Sequence, residues 1–408
     1  MRAVLILLAL LCCRIDFIQP SPPPPTPSFQ NVATRIFFGQ SIDTTNTQAM
    51  SRTGHYARDV ISSLQLICTN FPFIYEGGSQ VTPSTCKMSV EYPAGVCTPV
   101  TFSSAPNVSV AYNAYVLSDA AIVSIPNGAL FWVRIYETNS ATLYETSNHI
   151  DTVNMGDATA LGTSVPDQTV NCTIVVDGGS SQTISPGGVI ALTAVKSVSI
   201  LGDSLVFGAF DTYDNSSGDI GVIERTVGAS LPYMSVSADG LAAQTVTAGP
   251  GPWTALFNTY SSSTIIELAI NDTVGNGRTL LQVEGYLTTI YSYFTTAVFQ
   301  TTITMATNST DNWATSGNQS AQSGNSTSIA LNDALRAATF GPSGGYLEVA
   351  NGWSVAQDSP VWKNPGAGFS ACSPPVGGLY WTHDGVHGTP CGYLQMQSVG
   401  TINLSKLR

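Results

Sequence analysis

The chain has 408 residues, 43% apolar and only 10% charged, with a net charge of −12. That length and apolar fraction allow two domains, each with a sizeable core. So acidic a chain, carrying 14 Lys+Arg, is unsuited to nucleic acid or to anionic membrane surfaces.

In chain order, residues 1–19 read as a signal peptide. Arg2 supplies the positive start, and an apolar run from Ala3 to Leu11 leads to Cys12-Cys13. The run is too short to span a bilayer. A lipid-modified Cys12 or Cys13 is the alternative reading. Residues 20–28 form a Pro-rich linker, Pro20 to Pro27, stiff and extended. No later segment is long and apolar enough for a stable membrane span. The expected location is therefore secreted or extracellular, with the periplasm or cell surface as variants. Of 8 cysteines, those beyond the leader are Cys68, Cys86, Cys97, Cys172, Cys372 and Cys391. An even set in an exported chain suggests disulfides. The expectation is that Cys372 pairs with Cys391 and the other four pair among themselves.

From 29 to 190 the pattern is short alternating strands broken by Gly, Pro and Asn. Phe131, Val133 and Ile135 share one strand face, and Val108, Val110 and Tyr112 alternate similarly. Such strands without convincing helices predict a β-sandwich-like domain. His55 and His149 fall here and read as structural. After Pro186-Gly187-Gly188 the pattern changes, and 191–408 reads as a second, α/β domain. Strands are predicted over 197–201, 233–237, 264–268, 299–306 and 346–350. Leu280, Val283, Leu287, Ile290 and Phe294, at steps of 3 and 4, predict one helix face. The alternation implies a parallel sheet with helices on both sides. The Ser/Thr/Asn/Gln/Gly-rich stretch 308–325 is predicted to be a long exposed loop.

Four short blocks carry chemistry. Gly202-Asp203-Ser204-Leu205 puts a serine at the C-terminal end of a strand, where α/β folds present catalytic groups. Ser235 to Gly240 puts a glycine after the next strand. Ala269-Ile270-Asn271-Asp272 follows the third. Asp384-Gly385-Val386-His387 offers a carboxylate and an imidazole able to reach one serine together. Each block alone also reads as ordinary turn or cap chemistry. His383 and His387, four apart, invite a zinc reading, but Gly385 and Gly388 argue for a loop rather than a ligand-bearing helix.

In their order and content these blocks resemble the SGNH (GDSL-type) serine hydrolases, from about residue 195 to the C-terminus. The resemblance implies a flavodoxin-like three-layer α/β hydrolase domain preceded by the β-sandwich-like domain. It implies Ser204 as nucleophile, His387 as general base and then acid, and Asp384 as the carboxylate that orients it. It implies an oxyanion hole from the Ser204 and Gly240 N–H groups and the Asn271 amide, with no metal and no cofactor. Ala269 departs from the family's glycine. Asn271-Asp272-Thr273 is also a glycosylation sequon, as are sites at Asn107, Asn171, Asn215, Asn308, Asn318, Asn325 and Asn403. A glycan on Asn271 would be incompatible with the donor role.

The function implied is a secreted serine carboxylic-ester hydrolase acting on an ester substrate, preferably an O-acetylated polysaccharide. The rivals are a lipase or lysophospholipase, and a non-catalytic binding protein on the hydrolase fold. The oligomeric state is left open.

Overall fold

The computed structural model describes residues 26–38, 41–71, 82–141, 143–147, 150–172, 182–212, 216–363 and 381–408. The leader, residues 20–25 of the Pro-rich linker, His149 and Cys372 lie outside the described residues. Among those described, no helix is long and apolar enough to cross a membrane.

The site stands on a six-stranded, fully parallel sheet. Its strands are β1 (Ile36–Phe37), β2 (Val198–Gly202), β3 (Tyr233–Ser237), β4 (Ser263–Glu267), β5 (Ala297–Thr301) and β6 (Gly345–Leu347), in the order β1-β3-β2-β4-β5-β6. β2, β3 and β4 are buried along their whole length, as expected of strands covered on both faces. Alternation along β2 sends Val198 and Ile200 to one face, against helix residues Leu205, Val206 and Val227 and the C-terminal helix Pro390–Val399. It sends Leu201 to the other, against Trp253–Tyr260, Leu280–Tyr291 and Asn325–Arg336. The fold class is α/β, with helices on both faces.

The predicted helix face is present. Leu280–Tyr291 buries Val283, Leu287 and Ile290, and a capping box from Thr279 and Gln282 starts it. Phe294 is also buried, just beyond the helix end. Strands expected at 299–306 and 346–350 are shorter and begin earlier, at Ala297 and Gly345.

The stretch 308–325 is not one long loop. It holds a small hairpin, Thr307–Ser309 with Gln319–Ala321, and ends inside the helix Asn325–Arg336. That helix buries Asn325, Ser328 and Asn332 beside Leu331 and Leu335. Asn325 and Asn332 each bond both backbone groups of a residue after β5, Ala306 and Ile303 respectively. Polar residues on the inner face hid the helical period. Asn325, at 3% exposure, is closed to glycosylation in the folded chain.

The edge strand β1 comes from the far N-terminal part of the chain, well before the other five. The same segment begins with Ser28–Asn31, which pairs antiparallel with Gly188–Thr193. That pair belongs to an antiparallel sheet with Ile61–Asn70, Ala121–Ile125 and Ala114–Leu117. A second antiparallel sheet is built on Gln48–Tyr56, Leu130–Asn139 and Ser84–Glu91. Phe131, Val133 and Ile135 are all buried in it. One apolar cluster runs from these sheets into a face of the parallel sheet.

Cys68–Cys86 joins the two antiparallel sheets, and Cys97–Cys172 closes the second bridge, so these four cysteines pair among themselves. Cys391 is disulfide-bonded. Its expected pairing with Cys372 lies outside the described residues. His55 is fully buried between the Thr34 carbonyl and the Thr53 hydroxyl, and burial pushes its imidazole down to about 3. It is a neutral core residue.

Candidate active site

The site forms at the C-terminal ends of β2, β3 and β4. β2 runs into Asp203, whose side chain accepts from the Leu205 N–H at 3.0 Å and so N-caps the short helix Ser204–Phe207. Gly202 is required at the strand end, because a Cβ there would collide with Val206. The tight turn lifts Ser204, 4% exposed, to the rim of the sheet.

The loop before the C-terminal helix brings the imidazole to it. His387 Nε2 lies 2.7 Å from Ser204 Oγ, and His387 Nδ1 lies 2.7 Å from Asp384 Oδ2. The other Asp384 oxygen accepts from the backbone N–H groups of Val386 and His387, at 2.9 and 2.8 Å. With Nδ1–H donating to the carboxylate, Nε2 is left as the acceptor facing the serine hydroxyl. Both ring nitrogens of His387 are thereby engaged. His383 lies apart from this chain of bonds, with its ring stacked on Phe210 at 3.7 Å between centroids.

Electrostatics fit a base that charges during a reaction. Partial burial raises the Asp384 carboxyl, but the His387 ring bond and the two backbone bonds outweigh it and leave it at about 2. Burial disfavours charge on His387, yet the Asp384 bond and the negative field of Asp384, Asp203 and Asp239 more than compensate. The imidazole is raised above its ordinary 6.5.

Gly385 shapes this loop. It sits at φ +87°, and a Cβ would collide with the Thr307 carbonyl. Gly385→Ala is therefore expected to displace His387 and lower turnover by about 10²-fold, since misplacement of about an ångström is enough. Steady-state kinetics with circular dichroism as a folding control checks this. Wild-type turnover in the variant would remove the loop from the account.

Three N–H donors border the same pocket, a cavity of about 400 Å³ lined by Ser204, Gly240, Asn271, Asp384 and His387 together with Asp239 and Phe210. Gly240 follows β3 at φ +69°. Neither the Ser204 nor the Gly240 N–H donates to another described residue. Asn271 is turned inward. Its amide donates to Asp203 Oδ2 at 3.3 Å and to the Leu241 carbonyl at 3.1 Å. Ala269 holds φ +113° and is fully buried, so the backbone keeps a glycine-type conformation although the residue is alanine.

Every site residue picked out in the sequence thus lines one pocket. Three neighbours were not picked out. Phe210, at φ +62° and half exposed, packs its ring edge toward His387 at 5.5 Å. Asp239 stands beside Gly240 on the pocket wall. Glu267 ends β4 beside Asp203, whose N–H donates to its backbone carbonyl at 3.2 Å, and a lone acid closing a strand that contains Ile265 and Ile266 is a readable signal. The loop carrying Phe210 is fixed by the buried Arg225–Asp211 ion pair and by Arg35 Nε donating to the Gly218 carbonyl at 3.1 Å.

No family model matches the chain, and no curated protein matches it. Among solved structures it is similar to a lipolytic protein of the G-D-S-L family from Veillonella parvula, at 15% identity over 50% of this chain and 94% of that one, with a TM-score of 0.33. It is similar across 93% of its length to a carbohydrate esterase family 2 enzyme with a carbohydrate-binding domain from Corynascus thermopiles (Myceliophthora fergusii), at 11% identity, 99% of that chain and a TM-score of 0.31. A salicylyl-acyltransferase, SsfX3, from a tetracycline biosynthetic pathway is similar over 93% of this chain and 94% of that one, at 11% identity and a TM-score of 0.33.

Proposed function

We propose that the protein is a serine carboxylic-ester hydrolase that removes short acyl groups, such as acetyl, from carbohydrate hydroxyls outside the cytoplasm. The observation that carries this reading is the unbroken chain Asp384–His387–Ser204, with both links at 2.7 Å. Ser204 Oγ attacks the ester carbonyl as His387 Nε2 takes its proton. The oxyanion is met by the Ser204 and Gly240 N–H groups and the Asn271 amide. His387 then protonates the leaving alcohol, and the acyl group stays on Ser204. A water deprotonated by His387 releases the acid and restores the serine. Asp384 keeps the imidazole in the productive tautomer and offsets its transient charge.

The disulfides support an exported protein. The two antiparallel sheets support a sandwich-like accessory unit of about 29–190, ahead of a hydrolase unit of about 191–408. The pocket supports a small acyl group and an uncharged alcohol. No Lys or Arg lines it among the described residues, whereas Asp239 and Asp384 do.

The test is acyl release from short and long p-nitrophenyl esters, acetylated xylan and acetylated pectin. The expected result is release from the short ester and at least one acetylated polysaccharide. Preference for long chains would favour a lipase, and no release from folded protein would favour a binding protein. Matched acetate esters of neutral and anionic alcohols add a second expectation. At low salt the anionic ester is expected to have a kcat/KM about tenfold lower, with the gap narrowing as salt screens the pocket. Equal or faster cleavage of the anionic ester would contradict it.

A further inference from the structure

Next to Ser204 in the chain stands Asp203, and against Asp203 stands Glu267, two acids that the proposed chemistry does not use. Asp203 is fully buried and Glu267 is 1% exposed. The parallel register sets Gly202 of β2 opposite Glu267 of β4, so the residue after Gly202 stands beside that glutamate. The Asp203 N–H donates to the Glu267 backbone carbonyl at 3.2 Å and reaches Glu267 Oε2 at 3.5 Å, which brings the Glu267 carboxyl against Asp203. Two buried carboxylate anions hold only acceptors and repel one another, and a proton between them removes one charge and supplies the missing donor. The titratable groups facing the pair are Glu224 from the helix Glu224–Val227, Tyr393 from the C-terminal helix and His387 from the catalytic loop. Burial raises both carboxyls. Glu267 adds to this at Asp203, and Glu224 adds to it at Glu267.

Asp203 also touches the proposed oxyanion donor. In the resting site Asn271 commits its amide to Asp203 Oδ2 and to the Leu241 carbonyl. To meet an oxyanion, the amide must slacken one of these bonds, and the 3.3 Å bond to Asp203 is the longer. An ionised carboxylate grips an N–H about twice as strongly as a neutral acceptor does. An Asp203 that shares a proton with Glu267 grips less.

We propose that Asp203 and Glu267 share one proton, and that this pair positions Asn271, keeping its amide at the oxyanion hole while holding it weakly enough to donate there. The inference rests on the ester-hydrolase reading for the role of Asn271. Asp203 and Glu267 are positioning residues, since they act through Asn271.

Raising the pH removes the shared proton, tightens the hold on Asn271 and sets a second negative charge near the developing oxyanion. Wild-type kcat should therefore fall at alkaline pH. Glu267→Gln supplies an N–H to Asp203 and cannot ionise. It should keep kcat near neutrality within about threefold and lose the alkaline fall. Glu267→Leu removes the partner, and kcat should drop about tenfold or more with KM within about threefold, as part of a donor's 10²–10³ is lost.

A readout independent of turnover is the infrared C=O band of a protonated carboxylic acid in folded protein at neutral pH. Glu137, Asp219 and Glu224 are also raised by burial, but they are present in both proteins, so the wild-type minus Glu267→Gln difference isolates the pair. The expected result is a band lost on Glu267→Gln. No change in that band, an alkaline fall that persists in Glu267→Gln, or a folded Glu267→Leu with wild-type kcat would each overturn the proposal. A wild-type protein with the band but no activity on any ester would instead sink the ester reading, and the positioning role with it.

Discussion

Ser204→Ala is expected to lower kcat for ester hydrolysis by about 10⁶-fold, to the level that binding and the oxyanion donors alone sustain. Ser204 Oγ is the acceptor-facing end of a bonded chain that begins at Asp384, and no other hydroxyl is seated against His387 Nε2 among the described contacts. The fold should survive, because the helix cap comes from Asp203 and not from the serine hydroxyl. Product release measured on the preferred ester, with a thermal melt alongside, checks both halves of the expectation. A folded variant that keeps even one hundredth of the activity would mean the nucleophile lies elsewhere.

Asp384→Asn is expected to cost about 10⁴-fold, because an amide N–H facing Nδ1 favours the wrong imidazole tautomer and no longer balances the imidazolium. The pH profile should move as well. His387 must be neutral to accept the serine proton, so the wild-type rate rises with pH through the His387 pKa, which is held above 6.5 chiefly by Asp384 acting against burial. Without that carboxylate the imidazole loses its proton more easily, and the residual activity should rise at lower pH than in the wild type. Full kcat with an unchanged profile would show that Asp384 is a loop-capping residue only, a role its two backbone bonds could fill.

The residues of the candidate site were legible because each is carried by a short block tied to a strand end. Ser204 follows β2, Gly240 follows β3 and Asn271 follows β4, and a strand's C-terminal end is where a parallel sheet exposes side chains. The strands themselves were legible from continuous apolar runs. Other parts were not. β1 is two residues long and joins a sheet whose next strand in sequence is Val198–Gly202, so nothing local marks it. The helix Asn325–Arg336 buries three polar residues because the chain after β5 needs side-chain partners for its backbone, and that need is invisible in a hydropathy pattern. Phe210 belongs to no motif and to no periodic run. Its left-handed backbone and its stack on His383 place it at the pocket. Glu267 is less legible because an acid at a strand end reads as the start of an exposed turn, whereas here it is 1% exposed.

The most direct test of the central claim is covalent trapping with a fluorophosphonate, which phosphonylates a serine only when a base has activated it. Intact mass should show one adduct per chain. Peptide mapping should place it on Ser204, and labelling should speed up with pH as His387 becomes neutral. An adduct on another residue, or none at all on folded protein that still hydrolyses esters, would contradict Ser204 as the nucleophile.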